Sequence, residues 1–195
     1  MVQKTYALFD LIGIKSAIKA GEAATILERF WSIADAWTNS QSFPSVSIPG
    51  NGYRASPDVY VSTFSDSALL HTGEEIEIDD FLTIVRNFKN CIENNTCSSY
   101  VIISRNDEIA QPSMPAIGGH LIGTNMVPRY SRVAGSGNAW INLHRADAAL
   151  HKHKEWHEKH SIYCVGKQSC PQGDSVKDSI VCEGLINANR IFAVE

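Results

Sequence analysis

The sequence predicts an α+β protein built on a split βαβ, ferredoxin-like sheet with antiparallel or mixed strands. Three observations lead to this fold class. Short apolar runs alternate with longer segments of helical periodicity, and these segments follow the order β-α-β-β-α-β with further β-α-β segments after them. No repeat, low-complexity tract or interdomain linker interrupts the series. Such an order predicts one sheet with helices packed on one face.

The first predicted strand is the run KTYALFDL at residues 4–11, which is apolar and rich in aromatic residues. From residue 14 to residue 37, apolar residues recur at spacings of three and four, which predicts one long helix or two helices joined near Gly21. Residues 39–58 contain three prolines and two glycines, so we expect a loop there.

Two short strands are predicted in YVSTFSDSALLHT, residues 60–72, hinged at Ser65, Asp66 and Ser67. Residues 78–95 have an apolar face at helical spacing and predict the second central helix. The remaining segments read as three strands and one more helix, with strands at 98–105, 113–125 and 161–166 and the helix at 140–160.

Length and composition are those of an ordinary globular protein. With 195 residues, 44% of them hydrophobic, we expect a single domain over residues 1–195, with a core from about residue 4 to 166 and a C-terminal extension at 167–195. A net charge of −4 argues against a nucleic-acid partner or an anionic membrane surface. Lacking a signal-peptide pattern and a spanning apolar segment, the chain is expected to be cytoplasmic, with its five cysteines reduced.

Two aspartates lie at predicted strand ends. Asp10 ends the first strand, and Asp66 lies at the hairpin between the second and third strands. In the split βαβ topology the first strand is adjacent to this hairpin, so the two carboxylates can converge and bind hard cations such as Mg²⁺ or Mn²⁺. The alternative is that each aspartate only forms a turn.

The segments around these aspartates resemble the metal motifs of class III nucleotidyl cyclases. ALFDLIGIK at residues 7–15 is similar to the first motif, and TFSDSALL at 63–70 is similar to the second. The resemblance implies that Asp10, Asp66 and the backbone carbonyl of Leu11 hold two divalent ions, Mn²⁺ or Mg²⁺. It also implies a triphosphate cradle at the turn into the first helix, with substrate-binding residues at Phe9, Gly13, Ile14 and Lys15.

The same family places a glycine-containing strand after the central helix, and PAIGGHLIG at residues 115–123 is similar to it. A helix then carries a glycine, an asparagine four residues later and an arginine eight residues later, facing the second protomer of a dimer. Counting from Gly137, Arg145 matches, whereas Asn142 comes one residue late. The resemblance therefore implies a homodimer with shared sites, in which Arg145 and Asn142 are catalytic. The interval between Asp10 and Asp66 is longer than is usual in the family.

The predicted base preference depends on Ser62, four residues before Asp66. Purine-specific relatives have a lysine or a glutamate there to contact the base. A serine hydroxyl can donate or accept a hydrogen bond but cannot replace a long charged side chain. Ser62 thus favours a smaller pyrimidine, on which Tyr53 or Tyr60 could pack. We expect UTP as the substrate in preference to CTP.

With its FSDS motif and its short length, the chain is most similar to the Pycsar pyrimidine cyclases of bacterial anti-phage defence. This resemblance implies a uridylate cyclase that makes a 3′,5′-cyclic nucleotide as a second messenger for a separate effector protein with a cyclic-nucleotide-binding domain. Three alternatives stay open: a catalytically degenerate module that binds a nucleotide or a partner, a purine cyclase, and another metal-dependent nucleotidyltransferase.

The segment after Arg145 is rich in histidines. His153, His157 and His160 could share one helical face and bind zinc. Because no ligand motif accompanies them, we expect a solvated helix face instead.

Overall fold

We describe the protein from a computed structural model, for residues 4–40, 46–47, 54–106, 120–122, 125–127, 137–166, 179–181 and 190–194. The fold is mixed α+β. Its strands are β1 (Lys4–Leu11), β2 (Val46–Ser47), β3 (Arg54–Ala55), β4 (Val59–Phe64), β5 (Ser67–Thr72), β6 (Ser99–Asn106), β7 (His120–Ile122), β8 (Asn125–Val127), β9 (Ile162–Gly166), β10 (Ser179–Val181) and β11 (Arg190–Ala193). Its helices are α1 (Ile14–Ala20), α2 (Ala23–Thr38), α3 (Ile78–Asn95), α4 (Gly137–Leu150) and α5 (Lys154–His157).

Within the described residues, the main sheet has seven strands in the order β10-β11-β9-β6-β1-β5-β4. Strand β1 lies in the interior and pairs antiparallel with both β5 and β6, and β5 pairs antiparallel with β4. Strands β1 and β4 therefore run parallel with β5 between them, which is the predicted split βαβ arrangement. The parallel pairing of β6 with β9 makes the sheet mixed. Two small antiparallel pairs, β2 with β3 and β7 with β8, lie outside it.

Helices α2 and α3 cover one face of the sheet. The apolar stripe of α3 includes Phe81, Val85 and Phe88, all fully buried. The ring of Phe88 packs edge-on against Phe9 of β1, with 4.8 Å between ring centroids, and also contacts Trp37 of α2. This face holds the larger core cluster, as the predicted helices at 14–37 and 78–95 require.

Helix α4 covers the opposite face, which corrects the prediction that the helices lie on one face. Its buried residues Leu143, Ala146 and Leu150 pack in a second core cluster with Tyr100 and Ile102 of β6. Successive residues of a strand point to opposite faces, and residues 100–103 are all buried. The central strands are therefore apolar on both faces, and both faces need a cover.

Two predicted helices are interrupted. Gly21 caps α1 with a φ of 77° and separates it from α2, one of the two alternatives expected from the sequence. The prediction of one continuous helix over residues 140–160 was wrong, because α4 ends at Leu150 and the short α5 starts at Lys154. His153, His157 and His160 therefore do not share one helical face.

Part of the predicted C-terminal extension belongs to the main sheet. Strand β11 pairs antiparallel with β9, and Ile191 on β11 is fully buried in the α4-side cluster. Cys164 on β9 is disulfide-bonded, so the expectation of reduced cysteines was wrong for this residue. Cys91 and Cys97 are free thiols. None of the helices in the described ranges combines the length and apolar character needed to span a membrane.

Candidate metal centre

Asp10 occupies the face of the sheet that α4 covers. It pairs with Ser67 of β5 on one side and with Tyr100 of β6 on the other. Side chains of directly paired residues point to the same face, so these three residues form one row across the sheet. Phe64 of β4 pairs with Ser67 and extends this row to the sheet edge.

The carboxylate of Asp10 is buried, with only 6% of the residue exposed. Its Oδ1 accepts a hydrogen bond of 2.8 Å from Ser67 Oγ. The pKa of Asp10 is raised to about 6, first by burial and then by the nearby charge of Asp147, with a smaller contribution from Asp66; the Ser67 hydrogen bond and His151 lower it in part. The site thus holds a carboxylate whose negative charge is poorly compensated by its described neighbours.

Helix α4 and the residue that follows it bring two more side chains that could bind a metal close to Asp10. Asp147 and His151 are one helical turn apart, joined by the hydrogen bond from His151 N to Asp147 O at 3.0 Å. His151 Nε2 lies 3.6 Å from Asp10 Oδ2 and 3.8 Å from Asp147 Oδ2. One ligand atom from each residue lies within 4.8 Å of the others, so this group could hold a divalent metal ion.

Tyr100 supports this group from β6. Its hydroxyl donates a hydrogen bond to Asp147 Oδ1 and lies 3.3 Å from His151 Nε2. The pKa of Tyr100 is raised, first by burial and then by the charges of Asp10 and Asp147, so the hydroxyl keeps its proton.

His157 of α5 stacks on the Tyr100 ring, with 4.4 Å between centroids. Its Nε2 donates a hydrogen bond of 3.1 Å to the carbonyl of Leu150, the last residue of α4. Its Nδ1 is buried without a hydrogen-bond partner among the described residues. Burial lowers the pKa of His157, so the ring acts as a neutral packing group rather than as a solvated histidine.

Asp66 lies in the two-residue turn between β4 and β5, as predicted. Ser65 takes the left-handed conformation with φ 56°, and Trp31 Nε1 donates a 2.9 Å hydrogen bond to its carbonyl. Leu11 N donates a 3.1 Å hydrogen bond to the carbonyl of Asp66, which joins the turn to the end of β1. Asp66 is near enough for its charge to raise the pKa of Asp10, but it is not a member of the group formed with Asp147 and His151.

The predicted triphosphate turn follows β1. Gly13 takes a φ of 93°, a conformation suited to glycine, and α1 begins at Ile14, which is buried. Lys15 is exposed beside this turn. The side chain of Phe9 is fully buried in the core on the α2 and α3 side, so only its backbone is on the path of β1 toward the site.

Two of the predicted base-binding residues, Ser62 and Tyr60, lie on β4. Ser62 pairs with Leu69, which in turn pairs with Leu8, two residues before Asp10. Ser62 therefore shares the α4-side face with Asp10 and is partly exposed. Tyr60 is 42% exposed and stacks on His71 with 5.3 Å between centroids. Tyr53 lies outside the described residues.

Arg145, a predicted catalytic residue of α4, does not belong to the group around Asp10 in the same chain. Leu143, Ala146 and Leu150 are among the residues of α4 that face the sheet, and Arg145 is exposed on the outer side of the helix. The side chain of Asn142 lies outside the described part of the structure.

Asp147 and His151 were missed from the sequence. The signal that could have found them is the DAALH segment, in which an acid and a histidine are four residues apart on a predicted helix. The histidines predicted to share a helical face, His153, His157 and His160, all lie beyond the end of α4 at Leu150. No model of a known protein family matches this sequence, and comparison with curated proteins gives no match.

Proposed function

We propose that this protein is a pyrimidine nucleotidyl cyclase that converts UTP, in preference to CTP, into the 3′,5′-cyclic monophosphate and diphosphate. The observation that carries the proposal is the position of Asp10. It ends the interior strand of a split βαβ sheet, buried beside the Asp66 turn and within reach of two further ligand residues. This arrangement supports the resemblance to class III cyclases found in the sequence.

The residues around Asp10 fit divalent cations. Three carboxylates, Asp10, Asp66 and Asp147, are close enough for the charges of two to raise the pKa of the third, and a cation would offset this repulsion. Asp10, Asp66 and the Leu11 carbonyl are the proposed ligands of two Mn²⁺ or Mg²⁺ ions. When bound, such ions acidify a ribose 3′-hydroxyl and neutralise a triphosphate.

The remaining residues of the site would bind and orient the nucleotide. Ser67 holds Asp10 through its 2.8 Å hydrogen bond. The backbone at Gly13 and Ile14, with Lys15 beside it, is the proposed contact for the phosphates. Ser62, on the same face as Asp10, is the proposed contact for the base, and its short side chain favours a pyrimidine.

A homodimer would supply the remaining charge. Arg145 is exposed on the side of α4 that turns away from its own sheet, a position from which it can enter a site on a second protomer. A guanidinium beside the α-phosphate stabilises the charge that develops in phosphoryl transfer. The product would act as a second messenger for a separate effector in anti-phage defence.

A second candidate is a module that binds a nucleotide without turnover. The observation that favours it is the position of Asn142, one residue later than the family pattern requires. Both candidates require a nucleoside triphosphate to bind near Asp10, and they differ in whether a cyclic monophosphate is formed.

The test is incubation of the purified full-length chain with each of the four nucleoside triphosphates and Mn²⁺, with products identified by mass spectrometry. We expect cyclic UMP, with activity abolished in Asp66→Asn and retained in Asp58→Asn, a change of an exposed acid on the loop before β4. Cyclic AMP as the sole product would refute the argument from Ser62. Binding of UTP without any cyclic product would support the second candidate and overturn the first.

A further inference from the structure

We propose that Asp147 of α4 and His151, the residue that follows α4, complete a metal site with Asp10, and that this site takes a transition-metal ion such as Mn²⁺ in preference to Mg²⁺. The metal site is inferred from the contacts of the described residues alone. Only the part that its ion would play in cyclisation rests on the proposed function.

The first step of the argument is the spacing of the three ligand atoms. His151 Nε2 is 3.6 Å from Asp10 Oδ2 and 3.8 Å from Asp147 Oδ2. These separations are too long for hydrogen bonds. Two atoms bound to one ion at about 2.1 Å each lie about 3.0 to 3.5 Å apart for octahedral or tetrahedral angles. His151 Nε2 is therefore within a few tenths of an ångström of the spacing needed to share one ion with either aspartate, and all three ligand atoms lie within 4.8 Å of one another.

The second step is the burial of Asp10. Its carboxylate is 6% exposed, with Oδ1 held by Ser67 and Oδ2 directed toward His151. A buried carboxylate beside two other acids is unfavourable unless a cation compensates it. The side chain of His151 is 58% exposed, so a protonated imidazole there would be a weak counter-charge. A bound divalent ion would compensate the negative charge of the Asp10 carboxylate better than this imidazole.

The third step is the hydrogen bonding of Tyr100. A phenol has one proton, and the Tyr100 hydroxyl donates it to Asp147 Oδ1. This bond orients the Asp147 carboxylate. Because the phenol proton is donated to Asp147, it is not donated to His151 Nε2, so this nitrogen can act as a metal ligand in the tautomer that carries its proton on Nδ1. Hydrogen bonds of this kind, which orient a ligand from behind, are typical of metal centres.

The chemistry of the ligands decides which ion the site selects. Carboxylates and water suit Mg²⁺ and Mn²⁺ alike, whereas an imidazole nitrogen favours transition-metal ions over Mg²⁺, with an affinity that rises from Mn²⁺ through Fe²⁺ and Co²⁺. One histidine with two carboxylates also leaves coordination positions open for water or a substrate phosphate. His151 is thus the proposed specificity-determining ligand, and a pair of aspartates without it would not discriminate against Mg²⁺ in this way.

The test uses the metal-free full-length chain without nucleotide. Mn²⁺ binding is followed by electron paramagnetic resonance and Mg²⁺ binding by calorimetry, for wild type, His151→Ala and Asp147→Asn. His153→Ala is the matched control, because His153 is only two residues away and its described contact is with Glu155. Thermal melts check that each variant is folded.

We expect wild type to bind Mn²⁺ at least about tenfold more tightly than Mg²⁺, and His151→Ala to lose about 10- to 100-fold in Mn²⁺ affinity with little change for Mg²⁺. Spin-echo modulation from an imidazole nitrogen should be present with wild type and His153→Ala and absent with His151→Ala. A folded His151→Ala that keeps wild-type Mn²⁺ affinity, or that loses both ions equally, would overturn the proposal.

Turnover of UTP by the same variants separates this inference from the proposed function. If Mn²⁺ binding depends on His151 but wild type forms no cyclic product, the metal site stands and the cyclase proposal fails. If wild type and His151→Ala cyclise UTP equally with Mn²⁺ and with Mg²⁺, the cyclase proposal stands and the metal selectivity fails.

Discussion

Asp10 is the residue on which both stability and the proposed chemistry depend. Burial and the charges of Asp147 and Asp66 raise its pKa to about 6, while its ordinary value is 3.8. Between these values the folded state binds more protons than the unfolded state. Stability must therefore fall as pH rises through this window, and the cost of the ionised carboxylate is fully present above pH 6.

Replacing Asp10 by Asn should remove that cost. In metal-free buffer, we expect the stability of wild type relative to Asp10→Asn to decrease by up to about 3 kcal/mol between acidic and neutral pH. Urea unfolding at a series of pH values from 4 to 7.5 measures this difference. Asp58→Asn, at an exposed acid, is the control and should follow wild type. Parallel pH profiles for wild type and Asp10→Asn would contradict the prediction.

The aspartates of the site differ in how visible they are in the sequence. Asp10 and Asp66 each follow an apolar strand run, and that context singled them out. Asp147 lies within a helix whose pattern marks only its buried side, and His151 is one of several histidines close together. Their role emerges only when α4 is packed on β6 and places them beside Asp10.

At the scale of the elements, substitutions in β11 can test whether residues after 166 belong to the hydrophobic core. Ile191 is fully buried between β9 and the α4-side cluster, whereas Ile18 on α1 is 62% exposed. Ile191→Ala should reduce the free energy of unfolding by about 2 to 5 kcal/mol, while Ile18→Ala should change it by no more than about 0.5 kcal/mol. Chemical denaturation of both variants checks this matched pair. Equal effects would mean that residues beyond 166 do not belong to the core.

The helices show what periodicity can and cannot predict. The bounds of α3 and β1 agree with the predicted 78–95 and 4–11, because long amphipathic or apolar segments have few alternatives. The break between α4 and α5 was missed, since residues 151–153 contain neither glycine nor proline. The described contacts favour the break: His157 stacks on Tyr100 and its Nε2 binds the final carbonyl of α4.

At the scale of the whole molecule, the proposal requires two protomers for each site. Asp66→Ala and Arg145→Ala should each be inactive alone. When co-assembled in equal amounts they should regain about a quarter of wild-type turnover, because half of the dimers are mixed and each of these has one intact site. Cyclic UMP formation after refolding the mixture measures this.

The control for complementation is a mixture of Asp66→Ala with Asp10→Ala. Both changes fall on the same half of the proposed shared site, so no turnover should return. Recovery in this control would mean that the restored activity does not come from sites shared as proposed. No recovery in the Asp66→Ala and Arg145→Ala mixture would place the site within one chain or assign the role of Arg145 to another residue.

The sequence by itself determined the α+β class, the split βαβ order and the end of β1 as the place where acids collect, because strand and helix periodicities are local and the topology follows from their order. Only the tertiary structure decided that α4 covers the second face, that β11 joins the sheet, and that Asp147 and His151 meet Asp10. Those outcomes depend on contacts between residues distant in sequence. Local periodicity shows which side of a helix or strand is apolar, but it does not show which element packs against that side. The helix that buries the second face of the sheet is therefore known only from the packed structure.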